Sequence, residues 1–478
     1  MKIRGGFVLA FALGLGLSGC AAGGGAGPTA TTTPVGGAGN LLAQGERPRE
    51  TNDTREAERS LEAAAAAEAT NPAEAGVQYQ QALQSAQAAI AADGTNPLAH
   101  RLAGLASLGL DDYDASAQHF DRAQELRPIY EIELAAVREQ AFIDLYQEAS
   151  PFLEQGAYEQ ASAVLENAQT MYPDRPEALI TLAQLYAQMR NHDLALERIE
   201  QATALFASDR MTEVDAETAA AWQEQSATLP MMRGQVLVDA GRFEEALPIY
   251  QQMADANPAD LTVTQDLAVI LMQMGRTDEA LGVYSSLMGR PGLASQDLYR
   301  IGIGFYQASD YTRAAEAFGR SAEASRMDRD ALEMWARSLQ LDSAYAAVPA
   351  VAERWIALDP ASQIAITVLA QAVNATGNAQ RAGEIIRGVE ALPVTVGDLE
   401  MRRLLEGGAQ VSGSVTNRTL APGSNVTLTF TFYSESGAQV GTATQRVTVG
   451  TPAMAEVFQL DFSSTEAVGG YGYQLTTG

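Results

Sequence analysis

A period of 34 residues runs through the middle of this chain. Windows starting at 227, 261, 295, 329 and 363 follow one another with no insertion. The eighth residue of each is Gly234, Ala268, Gly302, Ala336 and Ala370, and the eleventh is Leu237, Leu271, Phe305, Leu339 and Val373. The twentieth is Ala246, Ala280, Ala314, Val348 and Ala382, and the twenty-fourth is Tyr250, Tyr284, Phe318, Ala352 and Ile386. Small residues let two antiparallel helices approach closely, and the large residues three or four positions on fill the volume that remains. Each window therefore predicts a helical hairpin. Gly241, Gly275 and Gly377 stand at the fifteenth position, where the first helix must stop in a left-handed turn. Pro258 and Pro360, at the thirty-second, end the second helix. One such unit cannot bury its apolar face alone, so the period commits the chain to a stack.

The register extends upstream to windows at 142 (Gly156, Tyr158, Ala161, Leu165, Ala168, Pro173), at 176 (Leu182, Ala183, Tyr186, Ala195, Ile199, Ala202) and at 97 (Gly104, Tyr113, Phe120, Ala123, Pro128). These residues resemble the tetratricopeptide repeat, whose pattern has small residues at eight, twenty and twenty-seven, an aromatic at twenty-four and proline at thirty-two. The resemblance implies a mainly α chain, with about eight repeats and capping helices stacked as a solenoid over residues 51–406. Glu131–Ala141 and Arg210–Ser226 break the period and are read as lengthened helices. The window at 329 departs most, with Val348, Ala352 and Trp355 in place of the expected small and aromatic residues, so distortion is expected there. Asp398–Glu406 is expected to cap the open end, and an acidic, Ala-rich helix is expected to start near Asp53, with Glu56 completing its cap.

In the resembled family the first helix of each repeat lines a concave groove with positions two, five, nine and twelve. On this chain that face carries Met231, Gln235, Val238, Gln265, Val269, Met272, Tyr299, Ile303, Tyr306 and Arg337. A clamp for a peptide carboxylate would need Lys or Arg at five and thirteen, where the central windows offer Gln265 with Gln273 and Tyr299 with Gln307. Apolar, Met and Gln chemistry suits instead an extended segment or amphipathic helix, its side chains in pockets and its backbone met by glutamines. Binding on the convex face, or a groove filled by the chain itself, remains the alternative.

After Gly407-Gly408 the periodicity changes to two: Val426, Leu428, Phe430 and Phe432 alternate with Thr427, Thr429, Thr431 and Tyr433. Further strands are expected around 411–416, 440–449, 455–462 and 471–475, giving a small all-β, immunoglobulin-like sandwich over 409–478. The run Gly413-Ser414-Val415-Thr416-Asn417, Phe432-Tyr433 with Gly437, and Phe458-Gln459-Leu460-Asp461 resemble the FxLYD domain of bacterial surface proteins, though the last motif lacks its tyrosine.

The N-terminus bears on location. Lys2 and Arg4 precede an apolar stretch, Gly5–Gly19, too short to span a bilayer, which needs about 20 residues, so 1–19 reads as a signal peptide. Leu17-Ser18-Gly19-Cys20 resembles the lipobox of bacterial lipoproteins, which implies that Cys20 becomes the acylated first residue. By the same resemblance, Ala21 after the cysteine favours the outer membrane. Residues 20–50, rich in Gly, Ala, Thr and Pro, are expected to form a flexible tether reaching roughly 30 Å.

Composition removes other classes. The 478 residues carry 59 acidic against 31 basic groups, a formal charge of −28, which repels a nucleic-acid backbone. Lys2 is the only lysine, excluding a Schiff-base or P-loop lysine from anything after it, and Cys20 is the only cysteine, excluding an internal disulfide. His100, His119 and His192 are the only histidines; none are at the spacing of a helical zinc motif, and they are read as helix-surface residues. Paired carboxylates such as Glu244-Glu245 and Asp111-Asp112 fall at repeat turns, where they are solvated. The reading is a lipid-anchored scaffold of the bacterial envelope without enzymatic activity, cofactor or metal, binding protein partners that present an extended or helical segment. The alternative is a surface lipoprotein for glycans or nutrients, which would need exposed Trp or Tyr platforms, whereas Trp222, Trp335 and Trp355 fall at internal helix positions.

Overall fold

The computed structural model describes residues 44–478 apart from 213, 405 and 406. The signal peptide, Cys20 and most of the tether lie outside the described residues. Contacts divide the chain into two compact units, one running to Ala178 and the other Leu179–Gly478. Eighteen α-helices are described, followed by six strands. The chain is mainly α, as the period predicts.

In the first unit the helices are α1 (Asn52–Ala67), α2 (Pro72–Ala92), α3 (Pro97–Leu108), α4 (Tyr113–Leu126), α5 (Ile129–Glu154) and α6 (Tyr158–Met171). Proline at the first position of α2 and α3, behind Asn71 and Asn96 as caps, starts those helices where a missing N–H costs nothing. The cap of α1 is Thr51, which shares reciprocal bonds with Thr54; the Asp53–Glu56 cap expected from sequence is not used. The long α5 absorbs 131–141, as expected. The described end of the expected tether is not free. The Glu46 N–H donates to the Leu126 carbonyl at 2.7 Å, and Arg49 exchanges two hydrogen bonds with the Asn96 side chain. Gly45, at φ +84, runs so close that a Cβ would lie 2.3 Å from the Leu126 carbonyl oxygen.

Helix α7 (Pro176–Gln188) spans the division between the units, and α8 (His192–Phe206) lies wholly in the second. There follow a 3-10 turn at Asp209–Thr212, α9 (Ala216–Asp239) and α10 (Phe243–Ala256). The next four are α11 (Leu261–Gln273), α12 (Thr277–Met288), α13 (Ser295–Gln307) and α14 (Tyr311–Ala324). The last four are α15 (Arg329–Leu341), α16 (Val348–Leu358), α17 (Gln363–Ala375) and α18 (Ala379–Glu390). Helices α11, α13, α15 and α17 begin on the first residue of their windows. The break at 210–226 is thus part 3-10 turn and part lengthened helix.

Two features explain why the period folds as hairpins. The fifteenth residue of all eight windows is left-handed: Asp111, Gly156, Arg190, Gly241, Gly275, Ser309, Ser343 and Gly377, with φ between 57 and 90. Glycine adopts this freely; the other residues hold it because the hairpin leaves no alternative path. The eighth position is small because the aromatic at the twenty-fourth lies against it. A Cβ on Gly302 would fall 2.7 Å from Phe318, and one on Gly234 2.8 Å from Tyr250. The window at 329 is distorted as expected. Its second helix begins at the twentieth residue, where α10, α12 and α14 begin at the seventeenth, and Trp355 with Ala352 exchanges the large and small sites, both fully buried.

Strands β1 (Val394–Arg403), β2 (Ala409–Asn417), β3 (Asn425–Tyr433), β4 (Gln439–Thr448), β5 (Ala455–Phe462) and β6 (Gly470–Thr477) form two antiparallel sheets, ordered β1-β2-β5 and β4-β3-β6. Val411, Leu428, Phe430, Phe432, Phe458, Tyr471 and Tyr473 join the two in one core. Residues 398–403 of the stretch expected to cap the repeats belong instead to β1, which pairs with β2 from Val394 opposite Asn417 to Arg403 opposite Ala409. The strands of the β domain therefore begin at Val394 and not at 409. A bulge at Gly397–Glu400, with Asp398 left-handed, disrupts the alternation that would mark this strand in the sequence.

Within this unit the β domain docks on the last repeats through buried polar groups. Tyr473 donates to Asp359 Oδ1 at 2.6 Å and accepts from the Ala361 N–H at 3.2 Å. Asp359, 1% exposed, also accepts from Arg329 Nε at 3.2 Å, and the Val396 N–H donates to the Ala361 carbonyl at 3.0 Å. Burial pushes the Asp359 carboxyl up, against the pull of Arg329 and Tyr473. A buried carboxylate persists only when paired and hydrogen-bonded in this way.

Candidate functional site

The face expected to bind lies on α9, α11, α13 and α15, where residues three or four apart fall on one side. Met231, Val238, Met272, Tyr299, Ile303 and Tyr306 are half-buried, their inner parts packed on the core of the central repeats. Val269 stands out, 38% exposed. Tyr299 lies edge-on to Phe318 at 5.3 Å between centroids, and Tyr306 edge-on to Tyr311 at 5.5 Å. Gln235 and Gln265 are buried. Gln235 donates to Asp239 and accepts from Tyr250 at 3.5 Å, whereas the Gln265 Nε2 has no partner. Arg337 pairs with Glu333 at 2.6 Å, leaving its Nε buried and unpartnered.

The face continues into a repeat that the sequence reading left out. Arg337 and Gln340 of α15, with Gln363, Ile364, Thr367, Val368 and Gln371 of α17, line a cleft of about 390 Å³. Ile364, Thr367 and Gln371 occupy positions two, five and nine, so the period was the signal that could have found them. Gln340 donates to Gln371 at 2.5 Å across the cleft, and Ile364 is 49% exposed. The expected chemistry, apolar side chains beside amides, is thus repeated at this end.

Trp222 and Trp355 are buried, the first against Phe206, and the half-buried Trp335 lies under Arg354. They offer no stacking platform for sugar rings. No helix among the described residues is long and apolar enough to cross a membrane. Two of the histidines depart from expectation: His100 is buried and meets His119 across the α3–α4 hairpin, instead of both standing free on helix surfaces.

A family model described as tetratricopeptide repeat matches residues 152–211 and 237–290, and a second of the same description matches 75–128. Over those residues the chain carries tetratricopeptide repeats, and proteins built of such repeats serve as protein-interaction scaffolds. No curated protein matches the sequence significantly. Among solved structures, the C-terminal part of a TPR repeat-containing protein from Cytophaga hutchinsonii is 17% identical, with 52% of this chain and 95% of that one covered, at a TM-score of 0.40. PilF of Pseudomonas aeruginosa is 18% identical over 49% of this chain and 99% of its own, at 0.31. A tetratricopeptide repeat protein from Parabacteroides merdae is 15% identical over 60% and 99%, at 0.26.

Proposed function

We propose that this protein is a lipid-anchored scaffold of the bacterial outer membrane, which holds protein partners against the first-helix face of its repeats. The observation that carries the reading is the cleft between α15 and α17, where the exposed Ile364 lies beside Gln340, Gln363 and Gln371, an open mix of apolar and amide side chains. Exposed amides suit a partner's backbone, and the apolar surface of Val269, Met272 and Ile303 on the same face suits the side chains of an extended segment or amphipathic helix. The lipobox-like Leu17–Cys20 supports the anchor.

Val269→Arg combined with Ile364→Arg tests the face, because both side chains are exposed enough for the fold to survive. Crosslinking in native membranes should capture partners with the wild type and lose most of that capture with the double variant, at an unchanged helical spectrum. Equal capture would move the site off this face. The anchor is tested separately: Cys20→Ser should leave the protein in the soluble fraction, and continued sedimentation with membranes in high salt would overturn lipidation.

A further inference from the structure

His100 and His119 are two of the three histidines in the chain. They occupy the fourth residue of the window at 97, on α3, and its twenty-third, on α4, and so face each other across the hairpin. Their Nδ1 atoms are 3.3 Å apart, with ring centroids at 5.5 Å and planes tilted by 44°. The Nε2 of His100 lies 3.3 Å from the Gly94 carbonyl oxygen, which can only accept, so that nitrogen carries the proton. The Nδ1 of His100 consequently presents a lone pair toward His119. If His119 holds its proton on Nε2, both facing Nδ1 atoms carry lone pairs.

Two nitrogens at 2.0–2.1 Å from one ion, at a tetrahedral angle, stand about 3.4 Å apart. The Nδ1–Nδ1 separation of 3.3 Å is close to that value. We propose that His100 and His119 form a two-imidazole site for a divalent transition cation of the Zn2+, Ni2+ or Cu2+ type. The Gly94 carbonyl has the orienting role that a hydrogen-bond acceptor plays behind a ligating histidine. Both rings are available as ligands at neutral pH, because burial holds His100 and His119 below the usual imidazole range. Arg122 adds to that lowering at His100 and opposes a cation, while Asp112 faces His119 and favours one. Among the described residues no group of three or more His, Cys, Asp and Glu could hold a metal, so water completes the coordination and affinity follows the order Cu2+ above Ni2+ and Zn2+. Hard cations such as Mg2+ and Ca2+, which want oxygen, gain nothing from the pair. A bound ion would tie α3 to α4 and stabilise the first unit.

The test uses the full chain, stripped by chelation and titrated with NiCl2 and ZnCl2 in a calorimeter at pH 7.5. One equivalent should bind with a heat that His100→Gln and His119→Gln each abolish and His192→Gln leaves intact. The metal should also raise the melting temperature of the wild type and not of the first two variants. Because His100 is buried and its replacement can unfold the hairpin, Cu2+ added to the wild type gives an independent reading. Its electron paramagnetic resonance should show coupling to two nitrogens, disappearing as the pH is lowered from 7.5 to 5. Binding that survives in both variants, or a copper spectrum with oxygen ligands alone, would overturn the site. So would the absence of binding, which would leave the pair a plain hydrogen bond from His119 to His100.

Discussion

Tyr299 lies edge-on to Phe318 and contributes to the cores of two neighbouring repeats, while its outer edge belongs to the candidate face. Removing it would take away packing of order 3–5 kcal/mol together with any partner contact, so Val269 and Ile364 are the cleaner probes. Its position in the period says that it faces the groove and says nothing of how deep the ring sits. Asp266 gives a sharper prediction at this scale. Burial pushes its carboxyl from 3.8 up to about 6, against Arg300 and reinforced by Asp260. A carboxyl raised in the folded state binds more protons there than in the unfolded chain, so its cost is absent below pH 3.8 and fully present above about 6. Asp266→Asn should stabilise the protein by about 1–2 kcal/mol at pH 7.5. That gain should shrink toward zero as thermal melts are repeated down to pH 4, and a gain independent of pH would contradict the burial argument.

Among the elements, hairpin geometry was legible because it depends on neighbours in sequence. The left-handed fifteenth residue and the small eighth residue both lie within one window, so a single period displays them. Gly302 tests the second of these. Gly302→Ala places a methyl 2.7 Å from Phe318 and should lower stability by about 1–3 kcal/mol despite the better helix propensity of alanine. Adding Phe318→Leu should recover part of the loss, read from urea unfolding followed at 222 nm. Strand β1 was not legible for the opposite reason. Val394, Val396 and Leu399 find their partners in β2 and in the facing sheet, and the bulge between them breaks the two-residue rhythm. The His100–His119 contact was missed likewise, since the residues are 19 apart in the chain and meet only when α3 and α4 pack.

For the second unit as a whole, the β domain and the last repeats share their interior. Residues 409–478 alone lack β1 and expose the β2 edge, whereas 392–478 restores it; the longer fragment should give dispersed amide resonances and the shorter one broad or collapsed ones. Cutting the chain after residue 391 removes Tyr473 from Asp359 and opens the surface around Leu358. The last two repeats should then exchange amide protons faster, by the equivalent of about 1–3 kcal/mol, than they do in the full chain. Equal protection would mean that the docking contributes nothing to their stability.

The sequence by itself determined the hairpins, their register, the residues on the first-helix face and the switch to β structure. Each of these rests on local periodicity, which the chain carries whatever its distant parts do. Tertiary structure alone decided that residues 394–403 join the β domain, that Asp359 is buried between Arg329 and Tyr473, and that residues 46–49 are held on Leu126 and Asn96. It also brought His100 against His119 and left Gln265 without an acceptor. Those outcomes depend on which groups become neighbours after packing, when desolvation forces each buried polar atom either to find a partner or to stay without one.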